Sequence, residues 1–176
     1  GLVFVFALKD YGSSLVAGLV TVLEGTYQPG DWIQVEGVYG EVRSIGMRAV
    51  RIVTSDDTEV LIPHSKIWSN SISNATGGSH SLLCVADFYL DPRHDALLVR
   101  QKLEDVALSS PYRQPDSSVT IVIAEKPWGT HYRVKAYVKE SREQFTFTTD
   151  LTVRGKGVLL AAGVQAARAA PVATEA

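Results

Sequence analysis

Apolar residues are spaced in three different ways along this chain. From Gly1 to Gly25 (GLVFVFALKDYGSSLVAGLVTVLEG) they are dense and almost unbroken. As a helix, this segment would be ~35 Å long, enough to cross a hydrocarbon core of ~30 Å. Lys9 and Asp10 interrupt the run. A charge at bilayer depth is costly unless it faces water or a partner. Gly12, Ser13 and Ser14 follow, which weakens helix propensity and permits a kink. The pattern therefore predicts an apolar half from Leu2 to Leu8, a polar break, and an amphipathic half from Leu15 to Leu23. Gly12, Ala17 and Gly18 form a small-residue face suited to close helix packing. A core helix of a soluble domain fits the same apolar run.

From Gln28 to Asn74 the spacing shortens to that of β strands. DWIQV, EVRSIGM, RAVRIVT and TEVLIP each read as a short strand. Gly37 and Gly40 are expected to bracket a turn, Asp56-Asp57 marks another, and Pro63 ends the fourth strand. Four or five short strands with tight turns predict a small, strongly bent sheet or barrel. Beyond Gly77-Gly78 the pattern changes again. SLLCVADFYL and SVTIVIAE read as strands, and in HYRVKAYVK the residues Tyr132, Val134, Ala136 and Val138 alternate with polar positions. Asp91-Pro92 is expected to cap a helix over DALLVRQKLEDVALSS, with a second helix from Arg142 to about Ala162. GVQAARA is a possible last strand. The order β-α-β-β-α is that of split β-α-β, ferredoxin-like folds.

Composition narrows the function. The chain has 176 residues, 45% apolar and 20% charged, which makes it folded rather than disordered. Its formal charge of −2, with acids and bases interleaved, gives no basic face for nucleic acid. One cysteine, Cys84, permits no internal disulfide and reads as a buried, inert thiol. His64, His80, His94 and His131 lack metal-ligand spacing, and no nucleophile elbow, phosphate loop or dinucleotide fingerprint is present. Asp91, His94 and Asp95 read as a helix N-terminus rather than a metal site. Arg154-Gly155-Lys156-Gly157 reads as an exposed basic patch. Trp32, Trp68 and Trp128 read as packing residues, with Trp68 available to pack between subunits or domains. No enzyme, cofactor or metal is expected. The chain starts with Gly and its apolar run abuts residue 1, so a piece of a longer protein is expected.

Two motifs carry a resemblance. PGDWIQVEGVYGEV is similar to the G-D-x-(V/I) strand and G-x-x-G-x-V turn of the small-conductance mechanosensitive channel family. VLIPHSKI is similar to that family's (I/V)-x-I-P-N-x-x-(I/L) strand and loop, with His64 in place of Asn. The resemblance implies a pore-lining helix with a kink (1–25), a small all-β, Sm-like domain (26–78), an α+β, ferredoxin-like cytoplasmic domain (79–170) and a disordered tail (171–176). It implies gate rings at Leu2 and Phe6. Asp10 stands at the family's kink glycine with Gly12 nearby, Ala17 and Gly18 fall on its helix-packing positions, and Gly25-Thr26 replaces its Arg-Pro. It implies a homoheptamer in the inner membrane, with residues from about 26 onward in the cytoplasm. That assembly would open under tension to pass ions and small solutes in osmotic downshock. The alternative is a soluble Sm-like plus ferredoxin-like module that binds RNA or protein.

Overall fold

A computed structural model describes residues 2–77 and 81–168, which cluster into two compact units dividing at His80/Ser81. In the first unit, helix α1 runs unbroken from Leu2 to Glu24. The polar break expected over Asp10–Ser14 does not interrupt it. Propensity is a weak prior, and one glycine and two serines do not outweigh the intrahelical hydrogen bonds on either side.

The strands β1 (Trp32–Val35), β2 (Val38–Ile45), β3 (Ala49–Thr54), β4 (Glu59–Pro63) and β5 (Ser73–Asn74) form one antiparallel sheet in the order β4-β3-β2-β1-β5. The short helix α2 (His64–Ser69) follows β4 directly. Val35 pairs with Val38 across a two-residue loop in which Glu36 and Gly37 both have positive φ. That is the turn geometry whose twist matches a hairpin, and glycine adopts it without strain. A register shift between Val42 and Ser44 bends β2. Alternation sends Ile33, Val35, Val50 and Ile52 inward, where they join Tyr27, Val42, Ile62 and Ile67 in one core. Burial raises the pKa of the Tyr27 phenol above its usual value.

Gly40 is not part of the turn. It sits in β2, paired with Ile33 on one side and Thr54 on the other. A Cβ there would lie 2.5 Å from both Ile52 Cγ2 and the Val53 carbonyl oxygen. Its role is close approach of strands, which a turn reading of the sequence misses.

In the second unit, β6 (Leu82–Leu90), β7 (Thr120–Lys126) and β8 (Gly129–Val138) form an antiparallel sheet in the order β6-β8-β7. Helices α3 (Ala96–Leu108) and α4 (Gln144–Ala161) bury Val99, Leu103, Phe147 and Leu151. The inward positions of β8 are Tyr132, Val134, Ala136 and Val138, as the alternation predicts. The cap of α3 is Asp95, whose carboxylate accepts from the Leu97 and Leu98 amides. Asp91, the expected cap, instead accepts from the Arg93 guanidinium and amide, which hold its pKa down at about 2. Cys84 is buried, and desolvation pushes its thiol up to about 11. Arg154 is not a free basic group. It donates to the Val106 carbonyl and to Asp150, tying α4 to the end of α3. The proposed last strand is reduced to a single bridge, Ala166 against Leu90.

Two glycines of the first sheet should respond differently to alanine. Gly40→Ala forces a side chain into Ile52 and backbone, and should lower stability by about 1–3 kcal/mol. Gly37→Ala meets no neighbour within 4 Å and suffers only its positive φ, so its loss should be about 1 kcal/mol. Denaturant unfolding of both variants in detergent checks the order.

Candidate functional site: the exposed helix and its seat

What α1 hides and what it shows are the reverse of a core helix. Its buried positions are Ser14, Ala17, Gly18 and Thr21, a stripe of small and polar residues at helical spacing. Its large apolar residues face outward: Phe4 is 72% exposed, Phe6 61% and Leu19 63%. Between Phe4 and Glu24 the helix is long and apolar enough to cross a membrane. A soluble core helix would bury Phe4, Phe6 and Leu19 and expose the serines.

The seat of the stripe is built by the loop after β2 and the start of α2. A Cβ on Gly18 would lie 2.7 Å from the Met47 carbonyl oxygen and 2.7 Å from His64 Cδ2. Only a residue without a side chain lets the α1 backbone approach this far. His64 is fully buried, and its Nε2–H donates to the Gly46 carbonyl at 2.8 Å. Its own amide donates to the Arg48 carbonyl at 2.9 Å. One side chain thus pins the loop that α1 rests on. The Thr21 hydroxyl donates to the Ala17 carbonyl, so that buried polar group is satisfied within the helix. On the next turn outward, the Arg48 guanidinium lies over the Tyr11 ring, 5.9 Å from its centroid.

Beside this contact, Leu15, Leu19, Val22, Ile45 and Met47 line an apolar cavity of about 400 Å³. Met47 is 79% exposed at its lip. The exposed apolar face of α1 and this cavity form one continuous apolar surface.

A second buried arrangement was not read from the sequence. Asp31 is 2% exposed, and its carboxylate accepts from the Gln28 amide, the Asn74 side-chain amide and the Thr76 hydroxyl. It clamps β5 onto β1 where the chain leaves the sheet. A buried carboxylate is tolerated because these donors replace water. Its signal in the sequence was Gly30-Asp31, in which Gly30 takes a φ of +95°.

The expected site residues fall as follows. Phe6 is on the exposed face of α1, and the Leu2 side chain lies outside the described residues. Asp10 is exposed, and Gly12 has nothing within 4 Å of a built Cβ. Ala17 and Gly18 are brought together on the seat. Gly37 is in the hairpin turn, while Gly40 is in the sheet. Trp32 is buried, but Trp68 is 56% exposed and Trp128 stands against Tyr89 with ring centroids 5.6 Å apart.

The described residues thus form an exposed apolar helix seated on a five-stranded β unit, followed in sequence by a separate α+β unit. Residues 10–77 match the family described as mechanosensitive ion channel, beta-domain. The small-conductance mechanosensitive channel MscMJ of Methanocaldococcus jannaschii is 26% identical over 141 residues, covering 79% of this chain and 40% of the relative. The large-conductance channel MscMJLR of the same organism is 26% identical over 145 residues, covering 81% and 40%. The crystal structure of Helicobacter pylori MscS superposes with a TM-score of 0.76 at 18% identity, over 100% of this chain and 70% of that one. MSL1 of Arabidopsis thaliana gives 0.60 at 16% identity, over 96% and 63%. Residues 10–77 thus match the β-domain model of mechanosensitive ion channels, and the chain is similar over most of its length to channels of the MscS family. It spans about two fifths of the length of the archaeal relatives.

Gly18→Ala should unseat α1. Its added methyl meets backbone at Met47, so the helix must move, and we expect a loss of about 1–3 kcal/mol. Amide hydrogen exchange over Ser14–Thr21 should accelerate with it. Gly12→Ala, with open space around it, should leave both unchanged or gain about 1 kcal/mol of helix stability.

Proposed function

We propose that this chain supplies the pore helix and cytoplasmic domains of a tension-gated channel subunit. The observation that carries the reading is the inverted burial of α1, with large apolar residues outside and small residues on the seat. In this reading residues 1–25 line the pore, 26–78 form an Sm-like β domain and 79–170 a ferredoxin-like domain, with the β domain on the cytoplasmic side of the inner membrane. Seven identical subunits would surround the pore, and ions and small solutes would leave through it when a drop in external osmolarity stretches the bilayer. Tension favours the state with the larger membrane area, and so shifts a two-state equilibrium.

Leu2 and Phe6 are four residues apart on one helix face and would form two stacked rings. Rings of large apolar side chains close a narrow pore by keeping it dry, with no charged gate. Lys9, three residues on, would stand near the same face where water solvates it. Asp10 and Gly12 mark the level at which the helix would bend on gating.

The assembly is checked by native mass measurement of the full-length protein in detergent, with seven copies expected and a monomer counting against it. The gate is checked by patch recording. Phe6→Ser should hydrate the constriction, lower the opening tension and slow growth, whereas Phe6→Leu should behave nearly as the parent. An unchanged threshold in Phe6→Ser would remove Phe6 from the gate.

A further inference from the structure

His64 is a fully buried imidazole in the seat of α1, and half of its polar capacity is unused. Nε2 stands 2.8 Å from the Gly46 carbonyl. A carbonyl only accepts, so this nitrogen carries the proton of the neutral ring. Nδ1 is then a bare lone pair. It is shut off from solvent and has no hydrogen-bond partner among the described residues. The ring lies directly under the helix. A Cβ on Gly18 would be 2.7 Å from His64 Cδ2 and 3.0 Å from Nε2, so no layer of side chains separates the α1 backbone from the imidazole.

The charged groups of the surrounding elements are engaged elsewhere. On α1, Lys9, Asp10 and Glu24 are exposed. Asp10 and Glu24 stand about 12 Å and about 9 Å along the axis from Gly18 at 1.5 Å per residue. On the loop, the Arg48 guanidinium lies over the Tyr11 ring. On α2, Lys66 reaches Glu36 at 3.7 Å, and between β3 and β4 Arg51 reaches Glu59 at 3.6 Å. Of the buried acids of this unit, Asp31 is held by Gln28, Asn74 and Thr76, and burial keeps the Tyr27 phenol protonated. None of these groups makes an ion pair or hydrogen bond with the His64 ring among the described residues. An imidazolium in the seat would have no counter-charge. A buried charge without a partner and a buried donor without an acceptor are both strongly unfavourable. Water satisfies both, and it reaches the ring when α1 lifts away.

We propose that His64 makes the seat of α1 proton-sensitive: a proton taken up at Nδ1 puts an unpaired charge and an unmatched donor into the junction, and α1 loosens from the loop Gly46–Arg48. Free imidazole takes up its proton near ~6.5. In neutral and alkaline solution the ring is uncharged and the seat holds. In acid the lifted state, whose ring is in water, binds the proton better and gains population. The contact lies within the first unit, and its response to protons is independent of the channel reading.

The test is amide hydrogen exchange of the full chain in detergent from about pH 8 to about pH 5, each rate corrected for the intrinsic exchange at that pH, across the range where imidazole titrates. Protection over Ser14–Thr21 should fall at least tenfold, while Val50 and Ile52 in the sheet change less than twofold. His64→Gln keeps an N–H for the Gly46 carbonyl and takes up no proton, so its protection should stay level. In the nitrogen-15 spectrum of the histidine-labelled parent, His64 should be the Nε2–H form in alkali, with the imidazolium appearing as protection is lost. Level protection in the parent, the same pH dependence in His64→Gln, or an Nδ1–H ring in alkali would each overturn the proposal. So would loss of Val50 and Ile52 in step with the helix, which is unfolding of the whole unit. Should His64→Gln fail to fold, the parent decides: protection lost while the ring stays neutral rejects the proposal, and loss in step with the imidazolium supports it.

Discussion

The seat of α1 depends on a backbone-to-backbone approach that only glycine at position 18 permits. Without it, the helix would stand off the β unit by the thickness of a side chain, and the Ser14–Thr21 stripe would have nothing to cover it. With it, the small face is inside and the large apolar face is outside. Helix packing in membranes follows the same economy, because lipid is as apolar as leucine and close packing has to come from small residues. His64 takes part from below by fixing the loop that carries Met47, so one buried imidazole and one bare Cα define the junction.

The parts of the fold that the sequence shows are those set by periodicity. Strand alternation in HYRVKAYVK places the four inward residues Tyr132, Val134, Ala136 and Val138 of β8, and the runs between Trp32 and Pro63 give four of the five strands of the first sheet. What stayed hidden depends on partners distant in sequence. Gly40 looked like a turn residue because glycine is common in turns, and only Ile52 on the neighbouring strand reveals why it is bare. The start of α3 was misplaced because DPRHD offers two aspartates. Asp91 is taken by Arg93, and its amide by Gln165, leaving Asp95 to cap. The two-residue strand β5 has no pattern of its own and exists because Asp31 holds Asn74 and Thr76.

The candidate site was legible to a similar degree. The small-residue positions Ala17 and Gly18 stood out at once, yet their contact with His64 required the fold. The unbroken course of α1 was the least visible feature, since Gly12, Ser13 and Ser14 argue locally for an interruption. Hydrogen bonds shared over six turns outvote three weak residues.

That continuity has a mechanical consequence. Among the described residues the helix is buried between Ser14 and Thr21, with the Arg48–Tyr11 contact one turn further out, and Phe6 projects about 12 Å beyond Ser14 at 1.5 Å per residue. As long as it stays straight through Asp10–Gly12, it is a lever with its fulcrum on the β unit. A tilt of about 5° at the fulcrum carries Phe6 sideways by about 1 Å, on the same helical rise. Repacking by a fraction of an ångström around Gly18 is thus magnified at the far end of the arm.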